Sequence, residues 1–354
     1  MFEDLGFSGW TPLQAAVVLG LALGCAFGTL AQRSRFCLRR AIAGEDAATR
    51  RGALAVWLVA LSVATLGVQG AAAMEWIDLG ETRFVVEDVA LTSIILGGLV
   101  FGAGMVLSRG CASRLTVLAA SGNMRAAACV VVFAIAAHAT MKGVLNVIPQ
   151  AFAGGDTALA PTLDAALGVS PWLIAGALAI VAALLAVRSG AKVSSLIMGA
   201  AIGALIPLGW VGTGLVLADE FDPIAFESLA FTRPAAEALF WTIAGTAIPA
   251  GFGVGFMGGV LLGAHLAARV NGEVQFASFD TPGQTARYMT GALFMGVGGV
   301  MAGGCTVGAG LGGVPTLGLS ALVALGAIVL GAAATNGALG VLGRSTGMAG
   351  VPAE

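Results

Sequence analysis

The sequence predicts an all-α polytopic membrane protein: about nine transmembrane helices plus short re-entrant helices, built as an inverted internal repeat with an hourglass-like shape. Three observations predict it. Hydrophobic residues make up 58% and charged residues 10% of the 354, with a mean hydropathy of +0.95, whereas soluble domains carry roughly 25% charge. The apolar residues fall in runs near the 20 or so needed to cross about 30 Å of hydrocarbon. Glycine, at 54 residues, is about twice its usual share, and it recurs at a fixed distance from cysteine.

The runs fall at 12–31, 52–74, 89–107, 124–145, 171–187, 194–216, 236–268, 286–303 and 315–340. The first is preceded by Glu3 and Asp4 and no basic stretch, so it does not read as a cleaved signal peptide. The seventh is long enough to be tilted or broken around Pro249-Ala250-Gly251. Basic residues then set orientation, because cytoplasmic loops collect Lys and Arg. With the N-terminus outside, the inside loops hold Arg33, Arg35, Arg39, Arg40, Arg50, Arg51, Arg109, Arg114, Arg125, Arg188, Lys192, Arg269, Arg287 and Arg344. Only Arg83, Lys142 and Arg233 remain outside, and acidic residues divide the other way. The expected location is the bacterial inner membrane, with a cytoplasmic C-terminus.

A phrase repeats along these runs. "AFGTLAQRSRFC" places Gly28 nine residues before Cys37, "VFGAGMVLSRGC" places Gly102 nine before Cys111, and "FMGVGGVMAGGC" places Gly296 nine before Cys305. A fourth copy, "AIGALIPLGWVG", sets Gly203 nine before Gly212 with the thiol missing. Copies one and two end spans directed inward, and the other two end spans directed outward. The division expected is residues 1–150 as one half, 151–193 as a linker containing span 5, and 194–354 as the inverted second half. Inverted repeats of this kind mark transporters whose site lies near the bilayer midplane. The stretches "ASRLTVLAASGN" and "TVGAGLGGVPTLG" are too brief to cross and too apolar for a solvent loop. They read as half-helices folded back into protein, the one place where a bilayer tolerates such backbone.

Buried thiols among apolar neighbours are expected as neutral S–H groups, which a passing anion requires. Sulfur is soft and polarizable and suits a sulfur-containing ligand, while half-helix N-termini add N–H donors and partial positive charge. Cys37, Cys111 and Cys305 are therefore the candidate site, with Gly110 and Gly304 beside them and Arg109 as the candidate counter-charge. Arg35 and Arg114 read as topology determinants. Cys25 and Cys129, mid-helix among small residues, read as packing. A disulfide between Cys37 and Cys111 stays open. Spans without a deep Asp or Glu argue against a carboxylate ion site. His138 reads either as a packing residue or as an intramembrane proton carrier, and Trp210 as a plug of the cysteine-less repeat. Trp57, Trp172 and Trp241 read as belt or packing residues. No cofactor, metal or nucleic-acid motif emerges.

The arrangement of "RSRFCLRRA", "GAGMVLSRGCASRL" and "MGVGGVMAGGCTVGAGLGG" resembles the YeeE/YedE family of inner-membrane sulfur-compound transporters, over about residues 15 to 340. The resemblance implies import of thiosulfate through an hourglass in which Cys37, Cys111 and Cys305 pass the anion by S–H hydrogen bonds, Cys111 being central. It also implies a small cytoplasmic sulfur-carrier partner of the TusA type. Related cargo, including selenium or other sulfur species, fits the same pattern. A different class stays open beside it: a membrane thiol-disulfide or sulfurtransferase enzyme using the same cysteines.

Overall fold

The computed structural model describes residues 9–85, 88–152, 157–158, 160–219 and 221–345; Glu3 and Asp4 lie outside the described residues. Its helices are α1 (Pro12–Ser34), α2 (Leu38–Ala43), α3 (Ala47–Ala73), α4 (Leu91–Leu107), α5 (Ala112–Ala120), α6 (Met124–Lys142), α7 (Val147–Ala151) and α8 (Leu163–Leu167). There follow α9 (Pro171–Ser189), α10 (Val193–Val211), α11 (Thr232–Ala244), α12 (Phe252–Val270), α13 (Pro282–Met301) and α14 (Leu319–Ser345). Among the described residues nine helical segments are long and apolar enough to cross a membrane. A two-residue antiparallel pairing, Asp88–Val89 with Thr157–Ala158, ties two loops together.

Helix starts follow the local chemistry. Thr11 and Gln14 close a reciprocal capping box ahead of Pro12, and Asp46 accepts the Thr49 N–H at 2.7 Å. Asn123 and Thr281 cap α6 and α13 in the same way. The seventh expected run is broken, as Pro249 and Gly251 indicate. Helix α11 stops at Ala244, and the spanning helix α12 begins only at Phe252. Helix α9 buries only Ala175 and Ala182 and packs on α3, as a peripheral lipid-facing span does.

The core is assembled by glycine. Gly20, Gly24 and Gly28 of α1 face Gly255, Gly259 and Gly263 of α12, and a Cβ on Gly24 or Gly259 would stand 2.2 Å from a backbone oxygen of the other helix. This spacing of four lets two backbones touch, where in lipid close packing has to supply the attraction. Each glycine of the repeated phrase plays the same part. Gly28 meets Val260 of α12, Gly203 of α10 meets Ala60 of α3, Gly102 of α4 meets Ile328 of α14, and Gly296 of α13 meets Phe133 and Ala136 of α6.

Candidate functional site

The three thiols share one local geometry. Two residues before each cysteine the backbone turns left-handed, at Arg35 (φ 52°), Arg109 (φ 56°) and Gly303 (φ 71°). In the first two copies the next N–H reaches five residues back, Phe36 to Ala31 and Gly110 to Met105, which closes the helix end. The cysteine then becomes the N-cap of the next element: Cys37 of α2, Cys111 of α5, and Cys305 of a π-wound turn over Thr306–Gly313. The expected half-helices are thus a nine-residue helix after Cys111 and glycine-rich π-helical winding after Cys305. The cysteine-less copy also ends in π-helical winding, over Gly212–Val216.

Two of the thiols meet. Cys37 Sγ and Cys111 Sγ stand 3.9 Å apart, both buried and both free, and Cys111 Sγ is 3.2 Å from Ser113 Oγ. Cys37 opens onto a cavity of about 540 Å³ whose wall carries Arg33, Arg35, Arg40, Lys192 and Glu273. Arg114 lies within electrostatic reach of both sulfurs, and its buried Nη1 has no hydrogen-bond partner. Arg109 does not share this cavity. It lines a separate one with Arg39 and Arg125, on the far side of the turn that carries Cys111. Of the two arginines flanking Cys111, the one brought toward the thiols is Arg114, three residues past the cap. In the sequence Arg114 reads as a topology determinant, although a side chain at that position commonly folds back over an N-cap. Gly110 packs on Leu115, and Gly304 leaves no room for a Cβ against Ala309, so both serve the tight turns.

Cys305 lies at the opposite end of the bundle, 1% exposed, accepting the Gly308 N–H at 3.3 Å. Gly308 and Gly312 floor a cavity of about 140 Å³ walled by Glu81, Arg83, Trp210, Glu227 and Arg233. Trp210 donates its indole N–H to Gly312 O at 3.3 Å and packs on Phe226, so it is fixed in the wall. Between the two cavities sits Trp57, 4% exposed and pressed under Gly310, while its neighbour Val56 lines the Cys37 cavity. Trp57 is therefore a core residue and not part of an interfacial belt.

The Glu227 carboxyl in the Cys305-side cavity is pushed up to about 7, chiefly by burial, with Glu237 adding and Arg233 and Arg83 opposing. Arg233 is bound to Glu237 one helical turn on. Burial also lowers Arg83 from its ordinary value, though an arginine remains charged. No hydrophobic periodicity marks Glu227, which sits on an irregular segment held by Thr213.

His138 stacks on Phe240 at 4.5 Å in a lateral groove whose wall also carries Lys142, Glu227, Arg233 and Glu237, so this groove adjoins the Cys305-side cavity. His265 holds Ala120 O at 2.9 Å, and Cys129 Sγ packs 3.7 Å from Tyr288 O.

A family model described as sulphur transport matches residues 33–334, a stretch that contains all three thiols and the lining of both cysteine-side cavities. The chain belongs to the sulphur transport family. Two curated relatives are each named thiosulfate transporter TsuA. That of Spirochaeta thermophila (strain ATCC 700085 / DSM 6578 / Z-1203) is 28% identical over 340 residues, covering 88% of this chain and 96% of the relative. That of Escherichia coli (strain K12) is 24% identical over 324 residues, covering 83% and 86%. Membership of the sulphur transport family, with nine apolar spanning segments among the described residues, makes this chain a multi-pass membrane protein of sulfur-compound transport.

Proposed function

We propose that this chain imports thiosulfate or a closely related sulfur oxyanion across the bacterial inner membrane, N-terminus outside. The anion is handed from Cys305 to the Cys37–Cys111 pair. The observation that carries this is the common setting of the three thiols, each an N-cap behind a left-handed turn: Cys37 lines one cavity and meets Cys111 behind it, and Cys305 caps the turn whose Gly308 and Gly312 line the other. Neutral S–H groups donate weakly to a soft anion without repelling it. Arg83 and Arg233 on one side, and Arg35, Arg40 and Arg114 on the other, offset part of the desolvation that a few weak donors cannot. An anion beside the thiols would supply the acceptor that the buried Arg114 Nη1 lacks within the protein.

An inverted repeat is supported by the exchange of packing partners. If α1 corresponds to α10, α3 to α12, α4 to α13 and α6 to α14, then the α1–α12 contact corresponds to α10–α3, and α4–α14 to α13–α6. Those are the four contacts that the repeated glycines make. The positive-inside bias directs the Cys37 cavity toward the cytoplasm, where a sulfur carrier of the TusA type would collect the anion. Such trapping answers an energetic need. Against an inside-negative potential each negative charge costs about 2.3 kcal/mol per 100 mV, and a dianion roughly twice that.

Purified protein in liposomes, given radiolabelled thiosulfate, is expected to show saturable accumulation of the unchanged anion. Excess thiosulfate should compete strongly, a selenium analogue measurably and sulfate weakly. Equal competition by sulfate would remove the role given to soft thiols. Stoichiometric persulfide on Cys37 or Cys111, with no net movement, would replace transport by sulfur transfer.

Glu227 makes this uptake pH-dependent. Below about pH 7 its carboxyl is neutral, so Arg83 and the Glu237-paired Arg233 face the anion with one opposing charge fewer; above, the Glu227 charge joins those of Glu81 and Glu237 in opposing it. Affinity should therefore rise as pH falls through that window, by roughly tenfold for one charge at this range in a partly screened site. Glu227→Gln should keep KM at its low-pH value throughout. A pH profile of KM that survives the substitution would assign the dependence elsewhere.

A further inference from the structure

The structure assigns a second anion site, for a tetrahedral oxyanion, to the cavity between α2, the start of α6 and the start of α13, apart from the path of the thiols. The cavity holds about 300 Å³ and is walled by Arg39, Arg109, Arg125, Asn123, Gln284 and Tyr288, with Ser108 and Asp280 also facing it. Neighbouring residues of α2 are divided between the two cavities: Arg39 faces this one and Arg40 the one with Cys37.

The lining is a set of donors short of acceptors. Arg39 Nε is buried with no hydrogen-bond partner, a costly state unless a ligand supplies the acceptor. Asn123 and Gln284 spend their carbonyl oxygens on the Ala126 and Asp280 N–H groups, which leaves their NH₂ groups for a guest. Ser108 Oγ is committed to Gly104 O and Gly110 O. Of the charges, Arg125 pairs with Asp280 at 3.4 Å. Arg287, within electrostatic reach of Arg39 and Arg109, donates to Leu107 O at 3.2 Å. One carboxylate thus faces three lining arginines, with a fourth close behind. The 19- and 20-residue helices α6 and α13 both begin at this cavity and add the positive ends of their dipoles. Arginine forks and amide donors converging from several elements match the oxygens of a phosphate-like group. That group can be a free oxyanion or the headgroup of an anionic phospholipid.

Equilibrium dialysis of the full-length protein in detergent against radiolabelled inorganic phosphate, at constant ionic strength, tests the free source. Native mass spectrometry of the same preparations, scoring retained phosphatidylglycerol, tests the lipid source. One saturable phosphate site or one retained phosphatidylglycerol is expected. Arg39→Gln and Arg109→Gly should each weaken binding at least tenfold. Glycine suits the left-handed backbone at residue 109, so the second variant removes the charge without straining the fold. Arg40→Gln, one residue along but facing the other cavity, should leave binding unchanged. The assignment is overturned if neither probe binds, or if Arg40→Gln weakens binding as much as Arg39→Gln does.

Discussion

Cys111→Ala is expected to lower thiosulfate uptake in proteoliposomes by at least tenfold while the protein still purifies as a folded species. The thiol is 1% exposed and lies between Cys37 Sγ at 3.9 Å and Ser113 Oγ at 3.2 Å. Alanine removes the donor that the proposed two-thiol relay needs while keeping the backbone turn. A hydrogen bond to a charged group contributes about 1.5–3 kcal/mol, which corresponds to roughly 10- to 150-fold in rate if the bond is made at the barrier. The folding cost should be small, because one sulfur atom is lost from a site where cysteine behaves as a small hydrophobe. Cys111→Ser, which restores an O–H donor in the same place, should recover part of the uptake. Cys129→Ala provides the contrast: that sulfur packs on the Tyr288 carbonyl away from both cavities, so uptake should stay near wild type. Wild-type transport by Cys111→Ala, measured as initial rate per folded protein, would falsify the thiol relay.

Much of this architecture was legible in the chain, for identifiable reasons. Span positions follow from hydropathy, because lipid leaves no other way to satisfy a long apolar run. The break near Pro249 follows from the missing N–H. The nine-residue interval from glycine to cysteine was visible as a repeat, and it has two physical halves. The glycine admits a neighbouring backbone, as Gly28 admits Val260, and the cysteine caps the next element beyond a left-handed turn. Which residue takes that turn was not legible. Left-handed positions favour glycine, yet in the first two copies the turn falls on Arg35 and Arg109, with Gly110 one residue late. That placement sends Arg109 into the neighbouring cavity and leaves Arg114 beside the thiols. Glu227 was hidden for another reason. Its segment has no periodicity, and its surroundings come from Arg83, Trp210 and Arg233, which other elements bring to it. Trp57 looks the same in sequence whether it faces headgroups or Gly310, and only tertiary packing decides.

The second large effect falls on folding and separates two kinds of glycine by a single methyl group. Gly259→Ala is expected to destabilise the protein by about 3 kcal/mol or more, since overpacking against well-fitted neighbours costs about 1–3 kcal/mol even where side chains can shift. Here they cannot. The added Cβ would lie 2.2 Å from Leu21 O and 2.8 Å from Cys25 N, both backbone atoms of α1, and Gly255 and Gly263 hold the same seam one turn to either side. Relief requires the two helices to separate along their length. That would also pull on the C-terminal end of α1, which leads through Arg35 into Cys37. Gly326→Ala is the matched control. A Cβ there meets nothing within 4 Å, and it lies inside the long helix α14. Exchanging glycine for alanine in a helix interior gains about 0.5–1 kcal/mol. Thermal unfolding in detergent should therefore show the melting temperature falling for Gly259→Ala and holding or rising for Gly326→Ala, with the first variant also losing monodisperse protein on size exclusion. Equal shifts in the two would mean that the contact of α1 with α12 does not depend on backbone approach, and the role given to the glycine repeat would fall with it.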